Sequence, residues 1–238
     1  MRLSEYDQKH VRVKTIYGDT ITGLARYGEC DFLQCEWGGE EDGLFIEDFL
    51  IYNSQIESRE EIEVHGTVEL WTERLILRRF RMEDAERLYR CLGADPAVLS
   101  YAGRNPYATL ETARETVRRV MGRYDDEHFY AWVMDSEDVV VGTIGARGCE
   151  DGRTEVGVCV VPSWRGRGLA AEVLKKILEY LTENEGIPCV TARCAPEDTR
   201  SRRALEKAGM RPVRTARNGF PAGERENDRM IYEYRREP

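Results

Sequence analysis

No stretch of this 238-residue sequence holds the run of about eighteen uninterrupted apolar residues that a membrane span requires. The opening residues, Met1-Arg2-Leu3-Ser4-Glu5-Tyr6-Asp7, have no apolar h-region and carry acids, so no signal peptide is read there and a cytoplasmic location is expected. Imidazole is scarce: His10, His65 and His128 are the three histidines, and none stands at metal spacing from a cysteine. The seven cysteines are odd in number and form no CxxC pair. Most sit in apolar runs, as Cys159 does in Val156-Gly157-Val158-Cys159-Val160-Val161, which fits small buried hydrophobes kept reduced and not a metal or disulfide framework. No metal is expected.

What is present is an apolar fraction of 41%, enough for a core, and a charged fraction of 33% with the two signs interspersed. That is the composition of a folded, water-exposed chain and not of a disordered one. The net charge of −9 is unevenly placed. Residues 1–65 hold 6 Lys+Arg against 15 Asp+Glu, whereas residues 66–238 hold 29 of each. The shift in charge marks an expected structural boundary. An acidic first segment also repels phosphate backbones, so nucleic acid is not the expected partner.

Residues 8–57 read as short strands: His10 to Lys14 by alternation, then Thr20 to Leu24 after Gly18-Asp19, Asp31 to Trp37, Leu44 to Ile46, and Leu50 to Ile56. Five short strands in so little chain predict a small closed barrel, because closure removes sheet edges. The polar stretch 58–67 reads as a linker. From residue 68 strands and helices alternate. Val68–Phe80 is read as a strand, Glu83–Leu92 and Thr109–Tyr124 as helices, and Phe129–Met134 with Val139–Gly145 as a hairpin. The near-continuous apolar run Glu155–Val161 predicts a central strand. A long helix follows from Gly168, with Leu169, Val173, Leu174, Ile177, Leu178 and Leu181 at helical spacing. Cys189–Cys194 is then a strand, Thr199–Ala208 a helix stopped by Gly209, and Val213–Tyr234 two strands around a Gly/Asn-rich loop.

The most informative segment joins the central strand to the long helix: Pro162-Ser163-Trp164-Arg165-Gly166-Arg167-Gly168-Leu169-Ala170. Unpaired N–H groups at a helix start, together with the helix dipole, bind anions. Gly166 and Gly168 keep side chains out of the way, and Arg165 and Arg167 add positive charge. These features predict a diphosphate site. Gly166-x-Gly168-x-x-Ala171 also fits a dinucleotide fingerprint, but four residues separate it from the strand and no acid ends the next strand, which argues against that fold.

Arg165-Gly166-Arg167-Gly168-Leu169-Ala170, followed by Pro196-Glu197-Asp198-Thr199-Arg200-Ser201 and by Glu206-Lys207-Ala208-Gly209-Met210, resembles the GNAT superfamily of N-acetyltransferases. Thr72-Glu73-Arg74-Leu75-Ile76-Leu77-Arg78 is similar to that family's opening, and the resemblance is closest to the branch that includes ribosomal-protein alanine N-acetyltransferases. The resemblance implies an α+β fold over residues 68–238, a mixed and mostly antiparallel sheet flanked by helices, with a small all-β barrel over 1–57 that resembles Sm-like or SH3-like barrels. It implies acetyl-CoA as co-substrate. The diphosphate would lie on the amides of Arg165, Gly166, Arg167, Gly168, Leu169 and Ala170, and the pantetheine arm along Val158, Cys159 and Val160, with Asp198 and Ser201 beside it. The acceptor would be a primary amine, on a protein N-terminus or a small molecule. Asp198 stands where the family has asparagine, and Leu205 where many members have an acid tyrosine. Glu155, in Glu155-Val156-Gly157, is the candidate general base, with pairing to a nearby arginine or a place on a solvated face as the other roles open to it. The arginine-rich helix Arg114–Arg123 and the loop 217–223 are candidate borders of the acceptor cleft. A non-catalytic acetyl-CoA-binding regulator, with the first segment as its partner-binding module, is the alternative. The oligomeric state stays open, a homodimer included.

Overall fold

The computed structural model describes residues 2–7, 9–37, 39–46, 49–93, 107–148, 153–216 and 228–235. The chain forms two compact units, Met1–Val64 and His65–Pro238.

The first unit is one five-stranded antiparallel sheet with a helix. Its strands are β1 (His10–Thr15), β2 (Thr20–Gly28), β3 (Gly43–Ile46), β4 (Phe49–Tyr52) and β5 (Ile56–Glu61), in the order β4-β3-β2-β1-β5. Leu3, Tyr6, Val11, Val13, Ala25, Leu44, Ile46 and Ile51 form its core. Three expectations are corrected here. No ladder joins β4 to β5, so the sheet stays open and the expected barrel is not formed. Cys30–Trp37 is a helix, α1, and not a strand, so the unit is not all-β. Alternation at Leu33, Cys35 and Trp37 mimics a strand in sequence, but so short a run cannot separate the two periods. A distant group decides it: the Asp42 carboxylate accepts from the Cys30 amide at 2.8 Å and caps the helix start. Finally, residues 58–61 of the expected linker belong to β5. The acids of β5 meet Arg12 and Lys14 of β1 and Lys9 just before it, in Lys9–Glu61, Arg12–Glu60 and Lys14–Glu57 pairs, while Val11 and Val13 face the core. An acidic run that reads as solvated in isolation is a strand once a basic partner lies beside it.

The second unit is built on an eight-stranded sheet. Its strands are β6 (Leu70–Trp71), β7 (Ile76–Arg78), β8 (Tyr130–Ser136), β9 (Val139–Gly148), β10 (Thr154–Val160), β11 (Val190–Cys194), β12 (Arg211–Ala216) and β13 (Arg229–Tyr234), ordered β12-β13-β11-β10-β9-β8-β7-β6. All pairs are antiparallel except β10 with β11. The helices are α2 (Asp84–Leu92), α3 (Leu110–Met121), α4 (Leu169–Glu183) and α5 (Thr199–Lys207). The α2 and α3 stripes pack with Phe80, Val133, Val140 and Val161 in one core cluster. The apolar stripe of α4 is buried from Leu169 to Leu181. The expected single strand over 68–80 is instead a tight hairpin of β6 and β7, because the Thr72 hydroxyl accepts from the Leu75 amide at 3.0 Å and turns the chain. The β8–β9 hairpin turns on Glu137 and Asp138, whose φ values of 49° and 65° match a two-residue turn with both centres left-handed.

Two buried charge clusters hold this unit. The Arg78 guanidinium bridges Asp84 at 2.8 Å and Asp135 at 2.8 Å, tying β7 to the start of α2 and to β8. Glu185 accepts from the Gly66 amide at 2.9 Å, from Tyr130 at 3.0 Å and from Tyr180, pinning the first residues of the unit to the end of α4. Removing one partner of a buried ion pair strands the other charge. Arg78→Met is therefore expected to cost about 3–5 kcal/mol in urea unfolding.

In the first unit, burial pushes the His10 imidazole down to about 4 from 6.5. The folded form favours neutral His10, so the unfolded chain takes up the proton first. This contribution to stability is intact above about pH 6.5 and is lost as pH falls from 6.5 toward 4. His10→Phe is expected to flatten that decline, read by amide exchange of β1 and β2.

Candidate functional site

The site is set by where β10 and β11 part. Parallel pairing between them covers Thr154↔Val190 and Glu155↔Thr191. Beyond Glu155, β10 continues on β9 alone through Val160↔Gly142, and β11 continues on β13 alone through Cys194↔Met230. The facing backbone edges of Val156–Val160 and Ala192–Cys194 therefore have no strand between them among the described residues. The edge from Val160 back to Glu155 spans about 17 Å at the usual strand rise. Val158, Cys159 and Val160 are half-buried along it. Gly142 on β9 permits close strand contact there, since a Cβ would collide with the carbonyl oxygen of Cys159.

At the end of that edge lies a 3-10 turn, Pro162–Trp164, then the glycine turn and α4. Gly166 has φ +80° and Gly168 φ +83°. Both are left-handed, which is why each is glycine, and nothing lies within 4 Å of a Cβ built on Gly166. The amides of Gly166, Arg167, Gly168, Leu169 and Ala170 meet no acceptor among the described residues, whereas Ala171 and Glu172 donate to the Gly168 carbonyl. Amides without an acceptor at the start of a four-turn helix have the geometry that suits an anion.

The surrounding side chains brace the turn. Arg165 Nε donates to the Val160 carbonyl at 2.9 Å. Arg167 stacks over Trp164, 4.5 Å from the ring centroid. Glu172, in the first turn of α4, accepts from the Thr72 hydroxyl at 2.6 Å and from the Arg74 amide and Nε at 3.0 and 2.7 Å. Arg74 also reaches the Arg167 carbonyl at 3.0 Å. Burial pushes the Glu172 carboxyl upward, but these hydrogen bonds outweigh it and hold the group below its usual range. Thr72 and Arg74, read in the sequence only as part of a motif, thus fix the helix start; a carboxylate a hundred residues away was the missing partner.

Asp198 caps α5. Its carboxylate accepts the Ser201 amide at 3.1 Å and the Ser201 hydroxyl at 2.7 Å. Burial raises this carboxyl, and the Ser201 bonds more than offset that, leaving it lowered. A cap needs only an acceptor, so aspartate serves here as asparagine would. Leu205 is buried, and the Met210 amide bonds its carbonyl at 3.0 Å across left-handed Gly209, closing α5. It offers no proton.

Glu155 is 5% exposed at the last paired position before the strands part. One oxygen meets Arg147 at 3.3 Å and the other is ion-paired with Arg193. Of the roles open to it in the sequence, the structure shows the pairing with arginines, at the last paired position before β10 and β11 part. The structure does not bring His128 to this region; it is exposed, with its amide on Asp126. A recess of about 270 Å³ lined by Arg119, Val120, Arg123 and Phe129 lies on α3 and holds none of this chemistry. The loop 217–223 lies outside the described residues. Among those residues no cluster of metal-ligating side chains occurs, and no helix is long and apolar enough to cross a membrane.

The model of the acetyltransferase (GNAT) domain family matches residues 74–211, more than half of the chain. An uncharacterized N-acetyltransferase, p20, of Bacillus licheniformis is 29% identical over 140 residues, covering 57% of this chain and 78% of that protein. The crystal structure of a GNAT-family acetyltransferase from Bacillus anthracis superposes with a TM-score of 0.61 at 26% identity, covering 71% of this chain and 98% of the other. A ribosomal-protein-S5-alanine acetyltransferase from Vibrio fischeri shares the fold with a TM-score of 0.61 at 13% identity, over 71% of this chain and 96% of that one.

Glu172→Ala removes the acceptor for Thr72 and Arg74 and is expected to cost about 1–3 kcal/mol of stability. Because the folded carboxyl is lowered from 4.5, the advantage of the native residue is full above about pH 4.5 and vanishes as pH falls through its lower folded value. Urea unfolding of the two proteins across pH 3–7 checks both.

Proposed function

The chain belongs to the GNAT acetyltransferase family, and from that membership we propose that it moves the acetyl group of acetyl-CoA to a primary amine, on a protein N-terminus or a small molecule. It is an acetyl-CoA-dependent acyltransferase; the acceptor and the roles of individual residues are the proposed part. The observation that carries the proposal is the cradle of amides at Gly166–Ala170, which meet no acceptor among the described residues, at the end of the strand that parts from β11 after Glu155.

The residues fit the co-substrate. The amides of Gly166 to Ala170, with Arg165 and Arg167 nearby, suit a diphosphate, and the edge of Val158, Cys159 and Val160 suits an extended arm with amide groups of its own. Asp198 and Ser201 shape the start of α5 beside the opposite edge. What acetyl-CoA supplies is a carbonyl carbon activated as a thioester. The chain's part is to hold the two reactants in line, to exclude water, and to take the proton that an ammonium must lose before it can attack. Glu155 is the proposed acceptor of that proton, buried where the free edge begins. With Leu205 apolar and buried, no α5 tyrosine protonates the leaving thiolate. The similarity of Thr72–Arg78 and of the glycine turn to the ribosomal-protein branch supports a protein N-terminus as acceptor. Cys189 and Cys194, buried in and beside β11 and not joined in a disulfide, support a reducing, cytoplasmic setting. The units Met1–Val64 and His65–Pro238 are proposed as separate domains, the second carrying the catalytic chemistry.

Calorimetry with CoA tests the cradle. Gly168→Glu places a carboxylate and an unfavourable φ at the diphosphate position and is expected to abolish CoA binding; retained micromolar affinity would remove the site. Glu155→Gln is expected to bind CoA normally and to lower kcat for amine acetylation by about a hundredfold or more, measured by thiol release.

A further inference from the structure

The turn between β6 and β7 reaches the glycine turn at one peptide group. Arg74 Nη1 donates to the Arg167 carbonyl at 3.0 Å. No cis peptide bond occurs among the described residues. In a trans peptide the carbonyl and the following N–H point in opposite directions. With its oxygen turned to Arg74, the Arg167–Gly168 peptide therefore turns the Gly168 N–H away from Arg74, where it meets no acceptor among the described residues. The next peptide is held by the helix itself, because the Gly168 carbonyl accepts from Ala171 and Glu172 at 3.1 and 3.2 Å. The Arg167–Gly168 peptide lies outside that ladder, and Arg74 is the group that holds its carbonyl.

Such a peptide can turn over. Gly168 has φ +83°, and glycine takes negative φ about as readily. Rotation of the peptide plane between its flanking Cα atoms, the change that separates type II from type I turns, exchanges the N–H for the carbonyl. A flipped peptide would present an oxygen where a diphosphate needs a donor.

Arg74 is itself fixed. Glu172 accepts from the Thr72 hydroxyl at 2.6 Å, from the Arg74 amide at 3.0 Å, from Arg74 Nε at 2.7 Å and from Arg74 Nη2. The two oxygens thus take four donors, about the capacity of a carboxylate. A planar guanidinium gripped along its Nε–Nη2 edge has its Nη1 already aimed.

We infer that Arg74, oriented by Glu172, is a positioning residue for the diphosphate of acetyl-CoA: it locks the Arg167–Gly168 peptide so that the Gly168 N–H faces the ligand. This rests on the acetyltransferase proposal above. Arg74 acts through the peptide and is not a catalytic residue. The lock and plain electrostatics predict opposite signs at one position. Removing the Glu172 charge near a polyanion strengthens binding if charge alone matters, and weakens it if Glu172 serves to aim Arg74.

Calorimetry of the full chain with CoA, at low and high salt, tests this on the native protein, Arg74→Gln, Arg74→Lys and Glu172→Gln, with urea unfolding to show which variants fold. Arg74→Gln and Glu172→Gln are each expected to weaken CoA binding roughly tenfold, the loss of an aligned donor to a charged group. The loss is expected to persist at high salt, where a through-space charge effect is screened. Arg74→Lys keeps the charge but cannot hold carboxylate and carbonyl together, so it is expected to recover little. In protein labelled with 15N-glycine, CoA is expected to shift the Gly168 amide signal of the native chain and to leave it unmoved in Arg74→Gln. If Arg74→Gln does not fold, Glu172→Gln and the native Gly168 signal carry the test. Native affinity in folded Arg74→Gln, full recovery in Arg74→Lys, tighter binding by Glu172→Gln, a loss that high salt erases, or a native Gly168 signal that CoA does not move overturns the inference and leaves the acetyltransferase proposal standing. A native protein that does not bind CoA removes both.

Discussion

Everything at the site depends on β10 and β11 being hydrogen-bonded at Thr154 and Glu155 and separate beyond them. A parallel pair is the one arrangement in this sheet that sends two neighbouring strands away from the same point toward the same end. Once they part, each exposes backbone groups that normally cost free energy to leave unpaired. A ligand with amide groups of its own can pair with such an edge, and a helix start at its far end can hold an anion. The parted edge and the helix start are proposed to act as one device, the first offering backbone groups and the second amides that meet no acceptor among the described residues.

That device works only if the amides stay unpaired in the folded protein, and the side chains around the turn are arranged accordingly. Arg165 bonds the carbonyl of Val160, Arg74 the carbonyl of Arg167, and Arg167 stacks on Trp164. Each brace uses a carbonyl or a ring and leaves the N–H groups alone. Glu172 is the one acid in the first turn of α4, where it could have competed for those amides. It is drawn off by Thr72 and Arg74 instead. Asp198 is likewise spent on Ser201. Glu172 is thus paired with Arg74 and Asp198 is held by Ser201, so neither carboxylate caps the amides of the glycine turn.

The end of the edge opposite the cradle has different electrostatics. Glu155 is buried between Arg147 and Arg193, and the same face carries Arg153, Glu233 and Arg235 as a further ionic group. Such a row holds strand ends in register, and it also presents a field to anything that enters. The arginine pairing of Glu155 is the part of its sequence reading that the structure shows.

The sequence alone determined the local elements whose signals are periodic or obligatory. The α4 stripe, the apolar β10 run, the left-handed glycines and the Gly209 stop all lie within a few residues of the structure they cause. The glycine turn was legible for that reason, and with it the family. Elements whose partner is remote were not legible. Cys30–Trp37 is a helix because Asp42 caps it, Glu57–Glu61 is a strand because β1 is basic, and the chain turns at Thr72–Leu75, where Thr72 also meets Glu172. Closure of the first sheet failed because β4 and β5 never pair, a fact no single strand carries. Only the tertiary structure decided where β10 and β11 separate and which arginines reach Glu155. Strand pairing and charge pairing join residues far apart in the chain, and their energies exist only once both partners are in place.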